Sequence, residues 1–459
     1  MGSGGLVRSL EGASVANFPM LEEAMRAWVR EAAARLSEGS EPDISPGRRR
    51  WQRDRDGVLR VRERPVRVWR HAEVEALRQL PSWCAVEQVL QEDDRLRAQL
   101  DQSVGTAQGS SLFDAAMAAR IVLPLPDEAG DLEGAFERKY SGLDRFLAAD
   151  AIEYAVVWPL PGLTSSEFPI LLEQDLEVGI MSDEELAAAL NTGALRLTFP
   201  GVLLLAPDKD QQACLRYRYS LPKVIGEADN RSTQFMALEA GLNRIRETME
   251  QGLALLFADP VAISGRVSLH AEWAPLFGSV SFQEVPLTPA QRGRRMHLDQ
   301  QASAELVETW RLLCQPGLLQ KQTALALALR RLGYQASRQR VEDEMVDVMV
   351  AAEALYLSDL GPDELGFRLA LRASVLSDPQ KLGMTRRDVF DLMKSAYSVR
   401  SKIVHGDEPK PKDLKVKGVP VPLAKFVQAT EEVVRHGLRE ALNRAAGWPP
   451  DWDGMTLPK

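Results

Sequence analysis

The sequence predicts an α+β fold, with a mixed α/β N-terminal region followed by an all-α helical bundle. Before about residue 300, short apolar runs alternate with proline, glycine and acidic turns, as is typical of mixed or antiparallel sheets. From about residue 302, amphipathic patterns of helical period follow one another with short links, as in an antiparallel bundle. We therefore divide the chain into a helical, arginine-rich region (1–115), a strand-rich α+β domain (116–300) and a helical bundle (301–450).

The composition is that of a globular protein in a reducing compartment. Hydrophobic residues make up 45% and charged residues 26% of the chain. The formal net charge of -9 argues against general coating of nucleic acid, so contact with a polyanion requires local basic patches. Three widely spaced cysteines form neither a C-x-x-C pair nor a disulfide framework. With no signal-like N-terminus and no apolar run of about 20 residues, we expect a cytoplasmic protein without membrane contact.

The N-terminal region combines a helix with an arginine-rich stretch. Phe18 to Leu36 has the apolar period of an amphipathic helix. Arg48 to Arg70 contains ten arginines, and Leu59 to Arg64 alternates with the period of a strand. This stretch is a candidate nucleic-acid surface, with Trp51 and Trp69 as stacking residues. The alternative is a solvated strand face, which the interspersed acidic residues favour.

The middle of the chain mixes strand and helix signals. Ser182 and Glu185 make a capping-box pattern that predicts the start of a helix, and Phe235 to Phe257 predicts a second helix. The segments that predict strands are short apolar runs bounded by breakers; they begin at Ile121, Ala155 and Leu195 and continue from Ser264 to Val285.

The C-terminal part predicts a series of helices with one apolar face each. Their expected ranges are 303–314, 318–333, 338–357, 363–376, 386–405 and 421–445.

The helix near 386–405 carries the most informative pattern. Thr385 and Asp388 form a capping-box start, and Gly406 is the residue type expected just past the end. An arginine, Arg400, stands where the apolar stripe should continue, so it must find partners, reach water or lie at an interface. The residues expected on the buried stripe are Val389, Phe390, Met393, Ala396, Tyr397 and Val404.

His405 follows Arg400 by five residues, about 140° around an ideal helix. The two side chains therefore do not stack directly, but His405 is in the last turn, where the helix can fray and a long arginine can reach across. The helix C-terminus favours a protonated imidazole, and histidine is well suited to proton transfer near neutral pH. A structural arginine and a histidine that only complements the helix dipole are the alternative.

Several ordered segments resemble the Apea-like branch of the HEPN domain family. RSKIVHG, which begins at Arg400, is similar to the R-x4-6-H signature of HEPN domains, with the polar Ser401 directly after the arginine. Ala328 to Leu357, including Glu353 in an EAL element, and Phe367 to Leu376 resemble the earlier helices of that family. The resemblance covers roughly residues 302–450.

The resemblance implies a metal-independent endoribonuclease that acts as a homodimer through this domain and needs no cofactor. Carried onto this chain, His405 is the general acid/base, Arg400 steadies the scissile phosphate and Ser401 orients the pair. RNA supplies its own nucleophile, the 2′-hydroxyl, so proton transfer and charge stabilisation remain for the protein. The expected product is a 2′,3′-cyclic phosphate. For Glu353 we expect a structural pairing with Arg368 or Arg372.

Lysines around the proposed site are candidates for RNA backbone contacts. They are Lys402, Lys410, Lys412 and Lys415, with Lys417 next to them. The interspersed acidic residues Asp407, Glu408 and Asp413 support the alternative of a merely solvated loop.

The resemblance also suggests a setting. We expect an RNA-cleaving effector in prokaryotic antiphage defence or a toxin-like stress response. The domain at 116–300 would act as sensor or regulator of a phage-derived or nucleic-acid trigger. Two alternatives stay open: a non-catalytic HEPN module that binds RNA or a nucleotide or mediates dimerisation, and a purely structural helical scaffold.

Overall fold

The computed structural model describes most of the chain, in two compact units. The described residues are 16–37, 44–45, 49–53, 59–63, 66–67, 70–96, 115–123, 130–149, 151–192, 212–222, 228–257, 263, 265–270, 296–315, 321, 323–334, 338, 340–359, 364–444 and 448–456. The first unit comprises Met1–Val156, Arg218–Leu238 and Ser268–Ser281, and the second comprises Val157–Tyr217, Glu239–Val267 and Phe282–Lys459. Within the described residues the fold is mixed α+β, rich in helix and with a small antiparallel sheet.

Helices of the first unit pack around a core of large apolar side chains. They are α1 (Pro19–Ser37), α2 (His71–Arg78), α3 (Pro81–Glu92), α4 (Ala115–Val122) and α5 (Leu132–Ala148). Trp28 and Trp83 are buried, with ring centroids 5.0 Å apart. The helix predicted for 18–36 is therefore confirmed.

Short strands follow α1 in the arginine-rich stretch. They are β1 (Ile44–Ser45), β2 (Arg49–Arg53), β3 (Leu59–Glu63) and β4 (Val66–Arg67). β2 pairs antiparallel with β3, and β1 with β4. The strand period read from Leu59 is confirmed by β3. The side chains of these strands are not among those described, and Trp69 lies outside the described residues.

One strand prediction in this part of the chain was wrong. The apolar run that begins at Ile121 starts inside helix α4. The alanine-rich residues before it are strong helix formers, and they extend the helix through Ile121 and Val122.

The sheet is built from strands in the order β10–β5–β9–β8–β7. Their ranges, with those of the pair β6 and β11, are β5 (Ala151–Pro159), β6 (Leu163–Ser165), β7 (Ile170–Glu173), β8 (Leu176–Ile180), β9 (Ala213–Pro222), β10 (Val267–His270) and β11 (Met296–Leu298). β8 pairs antiparallel with both β7 and β9, whereas β6 pairs parallel with β11. The strand prediction at Ala155 is confirmed by β5. The prediction from Ser264 to Val285 is confirmed by β10 as far as His270, and its remainder lies outside the described residues. The run at Leu195 lies outside the described residues.

Two helices belong with these strands. α6 (Asp183–Thr192) begins with the predicted capping box, because the Ser182 N–H donates to Glu185 Oε2 (2.7 Å) and the Glu185 N–H donates to Ser182 Oγ (3.2 Å). α7 (Ala228–Leu256) confirms the predicted helix at 235–257; it starts earlier and ends one residue sooner. The Glu185 carboxylate also accepts from the buried Arg216 of β9, so this capping residue joins α6 to the sheet.

The C-terminal part is helical, as predicted. Its elements are α8 (Gln300–Leu313), α9 (Thr323–Gly333), α10 (Val341–Leu357), α11 (Leu365–Leu376), α12 (Pro379–Leu382), α13 (Arg386–Val404), β12 (Lys415–Val416), β13 (Val419–Pro420), α14 (Leu423–Asn443) and α15 (Trp452–Thr456). The six predicted helices correspond to α8, α9, α10, α11, α13 and α14. The short elements α12, α15 and the β12–β13 hairpin were not predicted, because they span too few residues to show a period.

Helices α9, α10, α11, α13 and α14 share one hydrophobic core. α9 packs on α10, α11 packs on α13, and α10 packs on α14 and α13. Helix α13 therefore has its apolar side against two neighbours, and side chains at the border of that side are placed between helices rather than in open solvent.

Helix α13 begins and ends as predicted, but its buried stripe differs in part. Thr385 and Asp388 form the capping box, and Gly406 follows the helix with φ of +84°. Val404 was expected on the stripe, yet it is 54% exposed. The stripe runs in steps of three and four, so it continues to Ile403 and leaves Val404 on the next face. The buried residues are Val389, Leu392, Met393, Ala396 and Val399.

Candidate functional site

Arg400 lies at the border of the buried face of α13. Its neighbours Ala396 and Val399 are fully buried, and its own side chain is 29% exposed. The Nε atom is buried and has no hydrogen-bond partner among the described residues. One terminal nitrogen, Nη2, lies 3.8 Å from Oε2 of Glu353, which is too far for a hydrogen bond. The guanidinium therefore keeps N–H donors that the described part of the chain does not use.

Glu353 comes from α10 and faces Arg400. Its side chain is 28% exposed. Burial raises the pKa of Glu353, and the positive charge of Arg400 opposes that rise. The two residues form an ion pair across the α10–α13 contact, in which the attraction only partly offsets the loss of hydration.

The expected pairing of Glu353 with Arg368 or Arg372 was wrong. Arg372 instead donates from Nη1 to the carbonyl oxygen of Tyr356 (2.6 Å) and to Asp359 Oδ1 (2.5 Å). These acceptors are at the C-terminal end of α10, where helix carbonyls lack partners within the helix. The Glu353–Arg400 pair was missed, although each residue interrupts an apolar stripe on its own helix with an opposite charge. That shared feature is the signal from which the pair was predictable.

His405 caps the C-terminus of α13 and points away from the core. Its backbone N–H donates to the carbonyl oxygens of Ser401 and Lys402, both at 3.1 Å. Its side chain is exposed and forms no hydrogen bond with the described residues. Ser401, in the last turn, is half-buried. Arg400 and His405 thus belong to one helix end, with no hydrogen bond between their side chains.

The lysines predicted to contact RNA fall into two groups. Lys402 Nζ donates to Asp413 Oδ2 at 2.6 Å, and Asp413 also accepts from the backbone N–H of Lys410. The hydrogen bond from Lys402 lowers the pKa of Asp413. Lys402 is therefore already paired, whereas the side chains of Lys410, Lys412 and Lys415 are exposed.

Other candidate sites add little chemistry to the described residues. His297 is exposed, and its Nδ1 lies 3.1 Å from Thr164 Oγ1. Among the described side chains no group of three or more His, Cys, Asp or Glu residues is arranged to hold a metal ion. No helix in the described part of the chain is both long and apolar enough to cross a bilayer.

Comparison of the chain with models of known protein families, with characterised proteins and with solved structures found no match. The chemical interpretation of the site therefore depends on its residues and geometry. A guanidinium fork whose N–H groups have no hydrogen-bond acceptor among the described residues suits a phosphate or carboxylate group. An exposed imidazole five residues further on suits proton transfer.

Proposed function

We propose that residues 302–450 form a HEPN-type endoribonuclease domain that cleaves RNA through attack of the 2′-hydroxyl on the adjacent phosphorus. His405 transfers the proton, Arg400 stabilises charge on the phosphoryl oxygens, and Ser401 helps to orient the pair. The single observation that carries the proposal is the state of Arg400: among the described residues, the Nε of this half-buried guanidinium has no hydrogen-bond partner and the nearest carboxylate is 3.8 Å away. Leaving such a group unsatisfied costs stability, and a bound phosphate would supply the missing acceptors.

Glu353 fits this proposal as a residue that positions Arg400. Its carboxylate attracts the guanidinium without hydrogen-bonding it, so the fork stays between α10 and α13 but keeps donors for a substrate. A shorter, bidentate pair would hold Arg400 more firmly and would compete with the phosphate for the same N–H groups.

The proposed enzyme is a homodimer in which two copies of the 386–405 helix form one cleft. Within one chain His405 is exposed and has no hydrogen bond to Arg400, so a second copy is the simplest source of a closed site. Exposed Val404 and the half-buried Phe390 and Tyr397 follow one another at intervals of seven along α13, and they give the pairing surface an apolar edge. Light scattering at micromolar concentration tests this point, and a monomer there contradicts the composite site.

The decisive experiment compares RNA cleavage by the wild type and matched variants. In EDTA, the wild type is expected to cut tRNA or mRNA and leave 2′,3′-cyclic phosphate ends, while DNA of the same sequence resists. His405→Ala should lower the rate by about 10²- to 10⁴-fold and Arg400→Ala by about 10²- to 10³-fold. Arg400→Lys should not restore activity, because lysine lacks the planar fork.

Two exposed residues serve as controls for these substitutions. Arg387, on the same helix, is 79% exposed; among the described residues it forms an ion pair with Asp391 and lies over the ring of Phe390. It has no contact with Arg400 or His405 among the interactions of that part of the chain, so Arg387→Ala should cleave as the wild type does. His297→Ala is the corresponding control for His405. Binding of RNA that survives in both site variants, without cleavage by the wild type, identifies a non-catalytic binding module instead.

A latent enzyme calls for a test in cells. We place the protein in antiphage defence or a toxin-like stress response, with the region before residue 300 as sensor of the trigger. Induced expression in bacteria should slow growth for the wild type and for Arg387→Ala, but not for His405→Ala or Arg400→Ala at equal protein level. Equal toxicity of all four proteins rules out the proposed chemistry as its cause.

A further inference from the structure

A cleft of about 570 Å³ lies in the second unit, lined by residues of α7, α8, α12 and α14. This volume is in the range of small-molecule binding sites. None of the residues proposed for RNA cleavage lines the cleft. Its wall combines apolar side chains, such as Leu312 and Leu382, with several charged ones.

Two arginines of α14 are fixed in this cleft by the end of α7. Arg435 Nε donates to the carbonyl oxygen of Ala254 at 2.9 Å, and Arg439 Nε donates to that of Leu255 at 2.7 Å. These carbonyls belong to the last turn of α7, where carbonyl oxygens have no N–H donor within their own helix. Both guanidiniums are therefore held by Nε; Nη2 of Arg435 donates to Glu431, whereas the terminal nitrogens of Arg439 have no hydrogen-bond partner among the described residues.

The positive charge of Arg439 is only partly compensated. Arg435 pairs with Glu431, whereas Arg439 forms no ion pair with any described carboxylate. Burial lowers the pKa of Arg439; nearby Glu305 opposes that effect, and nearby Arg435 adds to it. Arg439 is half-buried next to a second guanidinium, and a bound anion would offset the desolvation of its charge.

His436 adds a neutral donor beside the arginines. Its Nε2 accepts the backbone N–H of Asp378 at 3.1 Å, and burial lowers its pKa. The neutral ring therefore carries its proton on Nδ1. His436 is buried and lines the cleft, so its imidazole is one of the polar side chains of the cleft wall.

Carboxylates at the mouth of the cleft restrict the size and charge of a ligand. Glu305, Glu308 and Glu432 line the cleft and are exposed. A polyanion such as RNA meets these like charges before it reaches the arginines. A small molecule with a single anionic group passes them with much less repulsion.

We propose that this cleft binds a small organic anion, a carboxylate or a phosphate monoester, whose charged group pairs with the terminal nitrogens of Arg439. The apolar wall contacts the rest of the ligand. This site is independent of the proposed RNA cleavage and requires no change in it.

Thermal unfolding of the full chain, with adenosine monophosphate, inorganic phosphate or succinate, tests the proposal. At least one probe should raise Tm saturably, because binding to the native state alone stabilises it. A response to adenosine monophosphate or phosphate identifies a phosphate site, and a response to succinate alone identifies a carboxylate site. No response to any of the three at millimolar concentration overturns the proposal.

Variants at the cleft then locate the binding. Arg439→Gln should weaken binding of the responding probe at least about tenfold, because a charge-assisted hydrogen bond is lost. Calorimetry measures this affinity. Arg387→Gln, outside the cleft, should leave binding unchanged. Because Arg439 also bonds to Leu255, Glu305→Gln provides a second test that keeps this anchor, and it should tighten binding by removing an opposing charge. Unchanged affinity in both cleft variants contradicts the assignment.

Discussion

Replacement of Gly437 by alanine tests how closely α14 approaches α10, the helix that carries Glu353. A Cβ atom at position 437 would lie 3.0 Å from Cζ of Tyr356 and 3.1 Å from Cδ2 of Leu355, and it would overlap the Tyr356 hydroxyl. Tyr356 is 1% exposed, so its ring has no route into solvent. The two helices therefore approach each other at this distance because residue 437 has no side chain.

The expected cost combines two opposing terms. Overpacking of a tight core destabilises by about 1–3 kcal/mol, and the overlap here places Gly437→Ala at the upper end. Alanine recovers about 1 kcal/mol of helix propensity relative to glycine. We expect a net loss of about 2 kcal/mol in the free energy of unfolding, measured by urea denaturation with circular dichroism.

A second substitution and a control make this prediction specific. The Tyr356 hydroxyl has no hydrogen-bond partner among the described residues, so Tyr356→Phe alone should change stability little. In that background Gly437→Ala should cost about 1 kcal/mol less, because the overlap with oxygen is gone. Gly241→Ala, on the exposed side of α7 with nothing within 4 Å, should stabilise by up to about 1 kcal/mol. Wild-type stability of Gly437→Ala, or a cost unaffected by Tyr356→Phe, refutes the close α10–α14 packing.

Three further substitutions test the charges around the site. Because the pKa of Glu353 is raised in the folded state, this residue favours folding while it is protonated, and the contribution is lost as pH rises through the folded-state pKa. Glu353→Gln should therefore be more stable than the wild type at pH 8 and equally stable in acid. Urea titrations at several pH values measure the difference. The same variant should cleave RNA more slowly, because Arg400 loses the charge that positions it. Asp347→Asn removes a buried acceptor of two arginines and should cost about 2 kcal/mol of unfolding free energy by urea denaturation; an unchanged midpoint contradicts that role. Asp413→Asn removes the ion-pair partner of Lys402 and should tighten binding of 2′-O-methyl RNA at low salt. The slope of log binding constant against log salt concentration should steepen by about 0.7. Equal slopes would show that Lys402 does not contact RNA.

Much of the helical architecture was predictable because its signals are local. Capping boxes depend on residues three apart, and both predicted boxes, at Ser182 and Thr385, are present with their reciprocal hydrogen bonds. The end of α13 at Gly406 follows from the left-handed backbone that glycine adopts easily. The run at Ile121 failed for the complementary reason, since a short apolar run has no period of its own and takes the conformation of the helix formers before it.

The partners of charged side chains were much less predictable. The sequence pattern identified Arg400 as an exception in an apolar stripe, but the ion-pair partner predicted for Glu353 was Arg368 or Arg372. An ion pair between helices depends on their relative rotation and on which carbonyls each helix end leaves free. For this reason Arg372 donates hydrogen bonds to Tyr356 and Asp359, and Arg400 forms the ion pair with Glu353.

The amino-acid sequence was sufficient to predict where the helices of the C-terminal part lie, where α13 starts and stops, and that an arginine and a histidine occupy its last turns. Those features are set by interactions between residues a few positions apart. The three-dimensional structure was needed to show that Arg400 lies beside Glu353, that Lys402 is paired with Asp413, and that α7, α8, α12 and α14 enclose a cleft whose Arg439 has no ion-pair partner among the described residues. Such features arise between elements distant in the chain, where packing and desolvation, rather than local periodicity, select the contacts.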